Sequence, residues 1–146
     1  MIETSDVLLV EDNPTDLELT LHVFKRHHLS ATVAVARDGV EALDVIFSTG
    51  LRSGHARPRF KVILLDLQLP KVSGIEVLRR IKGDPETATC PVVVLTSSRE
   101  LSDLDRSYEL GVNSYIVKPV DSEQFNNAVR QLGLYWLVLN DPPRRP

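Results

Sequence analysis

The chain has 146 residues, 42% of them hydrophobic and 25% charged, and its formal net charge at pH 7 is −3. This length is enough for one domain with a sizeable core, and the small net charge gives no reason to expect nucleic acid or a membrane surface as a partner. Because the sequence has a single cysteine, no signal-peptide pattern and no apolar run near the roughly 20 residues of a membrane span, we expect a cytoplasmic protein.

Two strands and two helices are predicted in the first fifty residues. Asn13 can cap the first helix, and Pro14 suits its first position. Asp38 and Gly39 open the second helix, which carries apolar residues on one face and ends at Gly50. The predicted elements are strand 6–10, a helix from 13 to 27, strand 31–36 and a helix from 38 to 50.

The rest of the chain repeats this alternation three times. Residues 51–60 lack periodicity and contain three arginines, so we expect a mobile, solvated surface loop rather than a regulatory or partner-binding segment. Ser73 and Glu76 have the spacing of a capping box, and Gly111 suits a left-handed helix end. The predicted elements are strand 61–65, a helix 73–83, strand 92–95, a helix 100–110, strand 114–117 and a last helix capped by Asp121.

Five strand–helix units in succession predict an α/β fold with a doubly wound, five-stranded parallel sheet flanked by five helices. We expect a single domain over residues 1–140 that includes a C-terminal helix extension, and a disordered tail over residues 141–146. After residue 132 we expect no helix-turn-helix or enzymatic output domain. Output is therefore expected through binding of another protein, through self-association or through onward transfer of a chemical group.

Polar side chains follow four of the predicted strands. Glu11 and Asp12 come directly after the first strand, and Asp66 ends the third. Thr96 follows the fourth strand and Lys118 follows the fifth. Because open α/β sheets place their ligands beyond the carboxyl ends of the strands, we expect these side chains to converge on one edge of the sheet.

Such a constellation can support phosphoryl transfer to a carboxylate. Asp66 needs no deprotonation at pH 7 and could attack a phosphoryl group, which would give an aspartyl phosphate. Glu11 and Asp12 make sense beside it only if a hard dication such as Mg²⁺ lies between the carboxylates. Lys118 and Thr96 could each bind a phosphoryl oxygen. Singly, each residue also has an ordinary interpretation, as a helix cap, a turn hydroxyl or a surface lysine.

In several motifs the chain resembles the receiver domain of two-component response regulators, over about residues 5–132. The resemblance implies a flavodoxin-like receiver fold that agrees with the predicted elements. It also implies a signalling role, in which the domain assists its own phosphorylation and dephosphorylation but is not otherwise an enzyme. The motifs are Leu8 to Asn13, Leu64 to Pro70, Ser73-Gly74, Leu95 to Ser97, Tyr115 and Lys118-Pro119.

The resemblance assigns a role to each candidate residue. It makes Asp66 the phosphoacceptor and Lys118 the phosphate-binding lysine. Asp12 would be a direct Mg²⁺ ligand, Glu11 would act through water, and the main-chain carbonyl of Gln68 would supply a further ligand.

The resemblance also implies a conformational switch and an unusual peptide bond. Thr96 and Tyr115 correspond to the hydroxyl and aromatic switch residues of the family. The bond between Lys118 and Pro119 corresponds to one that is usually cis, a state that X–Pro bonds reach at modest cost.

A narrower resemblance is to the stand-alone regulators that partner phytochromes. It rests on the longer loop 51–60, on Thr96-Ser97-Ser98 and on Tyr135-Trp136-Leu137. It implies a sensor histidine kinase as partner, fused to a light sensor such as a bacteriophytochrome, and frequent dimerisation. The apolar run 134–139 is too long to be hidden by one helical face. We expect a homodimer through this region, with Tyr135, Trp136 and Leu137 at the interface, although the run could instead fold over its own core.

Two other functions fit parts of the pattern. A haloacid dehalogenase-type phosphatase also uses a strand-end aspartate with Mg²⁺, but it needs a second aspartate two residues on, where this chain has Gln68. A scaffold that is not phosphorylated would be expected to lack Asp66, Lys118 or the acidic pair, and all are present.

Overall fold

The computed structural model describes residue 2, residues 5–29 and residues 32–143. Five parallel strands form one sheet, as predicted, and their order is β2-β1-β3-β4-β5. The strands are β1 (Val7–Val10), β2 (Val33–Ala36), β3 (Val62–Leu65), β4 (Val92–Thr96) and β5 (Ser114–Val117). The helices are α1 (Pro14–Arg26), α2 (Gly39–Phe47), α3 (Gly74–Gly83), α4 (Leu101–Leu110) and α5 (Ser122–Gly133). The first residue of the predicted second strand, residue 31, lies outside the described residues.

The central strands are buried on both faces because helices cover the two sides of the sheet. Alternate residues point to opposite sides, so Leu8 and Ile63 pack under α2 and α3, whereas Leu9 and Leu64 pack under α1 and α5. This two-sided burial explains why β1 and β3 read as continuous apolar runs.

The predicted helix starts are confirmed, with one correction. Asn13 Oδ1 accepts the Asp16 amide at 3.0 Å, and Ser73 Oγ accepts the Glu76 amide at 3.2 Å. The return half of the capping box at Ser73 is not formed, because the Glu76 carboxylate binds Arg79 within the same helix instead. Gly111 ends α4 with φ of 100°, the left-handed conformation that favours glycine.

The second helix ends earlier than predicted. Helix α2 stops at Phe47 because Ser48 takes the left-handed conformation, with φ of 52°, and Gly50 begins a short 3₁₀ turn instead. The Lys118–Pro119 bond, which the resemblance suggested to be cis, is trans, the form that X–Pro bonds favour intrinsically.

The loop that follows α2 is irregular, as predicted, but two of its residues are fastened to the domain. Phe60 is buried. The Arg57 guanidinium binds the Glu86 carboxylate at 2.8 Å and lies 5.3 Å from the centroid of the Phe47 ring. The description of the whole loop as solvated is therefore wrong at these two positions.

The apolar run after α5 continues as a π-helical segment, Leu134–Leu139, which we call the C-terminal segment. Trp136 and Leu137 pack against the core beside α1 and α5. Leu134, Tyr135, Val138 and Leu139 stay exposed, so one face does not hide the whole run. Of the predicted disordered tail, residues 144–146 lie outside the described residues. None of the helices within the described ranges is long and apolar enough to cross a membrane.

Candidate functional site

The predicted site residues meet at the carboxyl edge of the sheet. Glu11 follows β1 and Asp66 follows β3, the two strands between which the chain order of the sheet reverses. Thr96 is the last residue of β4, and Lys118 directly follows β5. All four are buried, and Asp12 beside them is exposed. This is the position at which doubly wound sheets bind their ligands.

The Lys118 ammonium lies at the centre of the site and binds three carboxylates. Its Nζ is 2.7 Å from Glu11 Oε1, 2.8 Å from Asp16 Oδ2 and 2.9 Å from Asp66 Oδ2. The contacts with Asp16 and Asp66 are hydrogen bonds, and the contact with Glu11 is an ion pair. Burial of the two carboxylates of Glu11 and Asp66 is compensated by this cation.

The second oxygen of Asp66 is held by β4 and by the main chain. Thr96 donates its hydroxyl to Asp66 Oδ1 at 2.8 Å, and the Gln68 amide donates to the same oxygen at 3.0 Å. The start of α3 can lie this close to the end of β3 because residue 74 is glycine: a Cβ there would collide with the main-chain carbonyl oxygen of Asp66. Three fixed donors therefore orient the Asp66 carboxylate.

The two buried carboxylates respond differently to this environment. Burial raises the pKa of Glu11 to about 7, despite its bond to Lys118, and the neighbouring Asp66 charge adds to that rise. Burial also acts to raise the pKa of Asp66, but the Gln68 amide and Lys118 outweigh it, and the net shift is downward. For Lys118, the three carboxylates outweigh desolvation and raise its pKa. Asp66 is therefore ionised at neutral pH, as a carboxylate nucleophile must be.

Three acidic residues of the site can hold a metal ion. Oxygen atoms from Glu11, Asp12 and Asp66 lie within 4.8 Å of one another. An all-oxygen, carboxylate-rich set suits a hard dication that keeps some of its water ligands. Glu11 already binds Lys118 through Oε1 and accepts the Asn13 amide at 3.2 Å through Oε2. Asp12 is the solvent-facing member of the set.

A chain of hydrogen bonds leads from Thr96 away from the site. The Ser98 amide donates to Thr96 Oγ1 at 3.3 Å, and Tyr115 donates its hydroxyl to the Ser98 carbonyl at 3.1 Å. The Ser98 hydroxyl donates to Asp103 Oδ2 in the first turn of α4. These hydrogen bonds therefore couple the position of Thr96 to the positions of Tyr115 and the start of α4.

Two members of this arrangement were not predicted from the sequence. Asp16 lies in the first turn of α1, and its carboxylate binds Lys118 across 102 residues of sequence. Ser98 was named only as part of the Thr96-Ser97-Ser98 motif, with no role in the site. Its spacing of two residues from Thr96 and five from Asp103 is the signal that could have placed it in the hydrogen-bonded chain.

Comparison with known proteins agrees with this geometry. The response regulator receiver domain model matches residues 7–130. The probable methanogenesis regulatory protein FilR2 of Methanothrix harundinacea is 41% identical over 137 residues, which cover 94% of this chain and 86% of that protein. Response regulator Rcp1 of Synechocystis is 38% identical over 131 residues, covering 90% of this chain and 88% of Rcp1.

Two solved structures have the same fold, one of a phosphorylated protein and one of a Mn²⁺-bound protein. Phosphorylated RcpA, a cyanobacterial phytochrome response regulator, superposes with a TM-score of 0.88 at 37% identity and covers 96% of this chain and 99% of its own. The Mn²⁺-bound form of Rcp1 superposes with a TM-score of 0.89 at 36% identity, with the same two coverages.

Proposed function

Because the chain belongs to the response regulator receiver family, we propose that it is a phosphorylation-activated signalling protein in which Asp66 accepts a phosphoryl group from a sensor histidine kinase. The observation that carries this proposal is the environment of Asp66. Its buried, ionised carboxylate is oriented by Thr96, by the Gln68 amide and by Lys118 at 2.9 Å. Of the alternatives considered from the sequence, the haloacid dehalogenase-type phosphatase lacks support from the family match.

The proposed reaction is an attack of an Asp66 carboxylate oxygen on the phosphorus atom of a phosphohistidine. A P–O bond forms, the P–N bond breaks, and the imidazole leaves with the electron pair of that bond. Lys118 can donate an N–H to one phosphoryl oxygen, and Thr96 can donate its hydroxyl to another. The residues that orient the carboxylate before reaction therefore also bind the product.

A divalent cation is expected at the acidic set, and we propose that it is Mg²⁺. Asp12 and Asp66 would ligate it directly, Glu11 through water, and the Gln68 main-chain carbonyl would supply another ligand. When bound, the ion offsets the negative charge that accumulates on the phosphoryl oxygens. Rcp1 has been crystallised with Mn²⁺, and the oxygen donors of this chain suit either ion.

The test uses a small phosphodonor so that no kinase needs to be known. Incubation with acetyl phosphate and Mg²⁺, followed by intact-mass analysis, should show addition of one phosphoryl group. Asp66→Asn should show none, and neither should the wild type with chelator. Equal incorporation into Asp66→Asn would overturn the assignment of the phosphoacceptor, and no incorporation into the wild type would favour an unphosphorylated scaffold.

We place this regulator in a light-sensing pathway, with a histidine kinase of the bacteriophytochrome type as its phosphodonor. The support is the likeness to RcpA over almost the whole of both chains. A phosphotransfer assay with a purified phytochrome kinase should show faster transfer than with a histidine kinase of unrelated sensor type. Equal rates from both kinases would remove the argument for this pathway.

A second element of the proposal is a homodimer formed through the C-terminal segment. Four apolar residues are exposed on this segment: Leu134, Tyr135, Val138 and Leu139. A two-fold axis beside such a patch buries the patch of both subunits in one interface. Sedimentation at tens of micromolar, with and without phosphorylation, should detect the dimer. A protein that is a monomer in both states would contradict it.

A further inference from the structure

Asp16 holds the lysine of the site through its side chain. Asp16 lies in the first turn of α1, where its amide donates to Asn13 Oδ1 and its carbonyl accepts the Thr20 hydroxyl. Both of these bonds use the main chain of Asp16. Its carboxylate instead binds Lys118 Nζ at 2.8 Å. The capping of α1 therefore does not require the carboxylate, and its contact belongs to the site.

The three partners of Lys118 are not equivalent. The Glu11 and Asp66 side chains are each 5% exposed, whereas the Asp16 side chain is 23% exposed. Breaking a partly solvated ion pair, so that water replaces one partner, costs much less free energy than breaking a buried one. The bond to Asp16 is thus the one that can be given up most readily when a new acceptor approaches Lys118.

A phosphoryl group on Asp66 is such an acceptor. Before phosphorylation Lys118 already donates hydrogen bonds to Asp16 and Asp66 and forms an ion pair with Glu11, so a phosphoryl oxygen must compete with these carboxylates for the ammonium. Asp16 pulls the ammonium toward α1 and adds a negative charge near the phosphoryl position. Both effects favour the unphosphorylated arrangement.

We propose that Asp16 is a positioning residue that competes with the phosphoryl group for Lys118 and so limits the affinity of the site for phosphate and the lifetime of the phosphorylated state. This inference rests on the proposed function, because it concerns the same site. It adds a regulating residue that acts through Lys118 and does not itself touch the phosphoryl group.

Asp16→Asn tests the proposal with little change of shape. Beryllofluoride, formed from beryllium chloride and sodium fluoride, serves as the phosphoryl probe in titration calorimetry with Mg²⁺ present. We expect binding about three- to tenfold tighter than in the wild type, as a partly exposed ion pair of about 1 kcal/mol implies. The half-life of the protein phosphorylated by acetyl phosphate should lengthen by a similar factor.

Two controls separate this role from a general effect of charge or stability. Asp105→Asn removes an exposed acid from α4 with the same change of net charge and should bind beryllofluoride as the wild type does. Asp16→Glu keeps the charge and should restore most of the wild-type affinity. A structural role alone would lower the melting temperature of Asp16→Asn without tightening the binding of beryllofluoride.

The outcomes also distinguish this inference from the proposed function. If the wild type binds beryllofluoride and Asp16→Asn binds it equally or more weakly, the competition proposed for Asp16 is wrong and the phosphoacceptor role of Asp66 stands. If the wild type neither binds beryllofluoride nor accepts phosphate, both proposals are overturned.

Discussion

Replacement of Lys118 by methionine should destabilise the protein strongly in the absence of a metal ion. The substitution keeps most of the side-chain volume and removes the cation that lies among Glu11, Asp16 and Asp66. Without this cation the Asp66 carboxylate, which is 4% exposed, loses its charge partner, and the pKa of Glu11, already about 7, rises further so that Glu11 is protonated at neutral pH. Removal of one partner from a buried charge pair costs about 3–5 kcal/mol. For a chain of this size that corresponds to a fall in melting temperature of roughly 10–16 °C.

Thermal unfolding followed by circular dichroism, in chelator at neutral pH, measures this loss. Lys61→Met is a matched control, because Lys61 Nζ lies 3.9 Å from Asp6 Oδ1 and the two side chains are 43% and 30% exposed. A surface pair of this kind contributes about 0–1 kcal/mol. The reasoning is refuted if Lys118→Met loses no more stability than Lys61→Met.

Addition of Mg²⁺ gives a second measurement on the same variant. The ammonium of Lys118 and the metal ion are expected to bind the same carboxylates, those of Glu11 and Asp66. Without Lys118 the ion therefore becomes the main source of positive charge there. Millimolar Mg²⁺ should therefore raise the melting temperature of Lys118→Met more than that of the wild type. An equal rise in both proteins would show that the ion does not bind at these carboxylates.

Three other perturbations have distinct expected outcomes. Asp12→Ala should weaken Mg²⁺ binding in titration calorimetry more than Glu11→Ala does, because Asp12 is expected to bind the ion directly; the reverse order would overturn these roles. Thr96→Ala should still accept phosphate from acetyl phosphate but show little change in self-association on phosphorylation, and a wild-type response would refute the coupling. Cys90, whose pKa is raised by burial from 9.0 to about 11, should react with iodoacetamide at pH 8 about 100-fold more slowly than in the urea-unfolded chain, with a rate still rising above pH 9. A native rate equal to the unfolded rate would contradict its burial.

The strand ends of the site could be predicted from the sequence because their signal is local. Each of Asp66, Thr96 and Lys118 directly ends or follows an apolar run, and parallel strands bring their carboxyl ends to one edge. The structure places these residues within hydrogen-bonding distance of one another, as that rule requires. What the rule does not supply is the partner of each donor.

The missed residues are those with two possible interpretations in the sequence. An acid in the first turn of a helix is explained by the helix dipole alone, so Asp16 gave no sign of its bond to a residue after β5. The trans bond before Pro119 is the isomer that X–Pro bonds favour intrinsically, and only the family resemblance suggested the cis form. Helix α2 ends at Phe47 because Ser48 adopts the left-handed conformation, which a serine does not signal in the sequence.

The C-terminal segment packs on its own domain and is also proposed to form the dimer interface, and one pair of substitutions separates these two roles. Trp136 packs against the core, so Trp136→Ala should lower the stability of the monomer by a few kcal/mol, about 3–5 if the ring were fully buried. Leu139 is 66% exposed, so Leu139→Ser should leave monomer stability within about 0.5 kcal/mol, as surface substitutions usually do. If the segment forms the dimer interface, Leu139→Ser should instead weaken self-association at least tenfold in sedimentation equilibrium. Unchanged dimerisation in Leu139→Ser would place the interface elsewhere, and a stable Trp136→Ala monomer would contradict the packing of the segment on its own core.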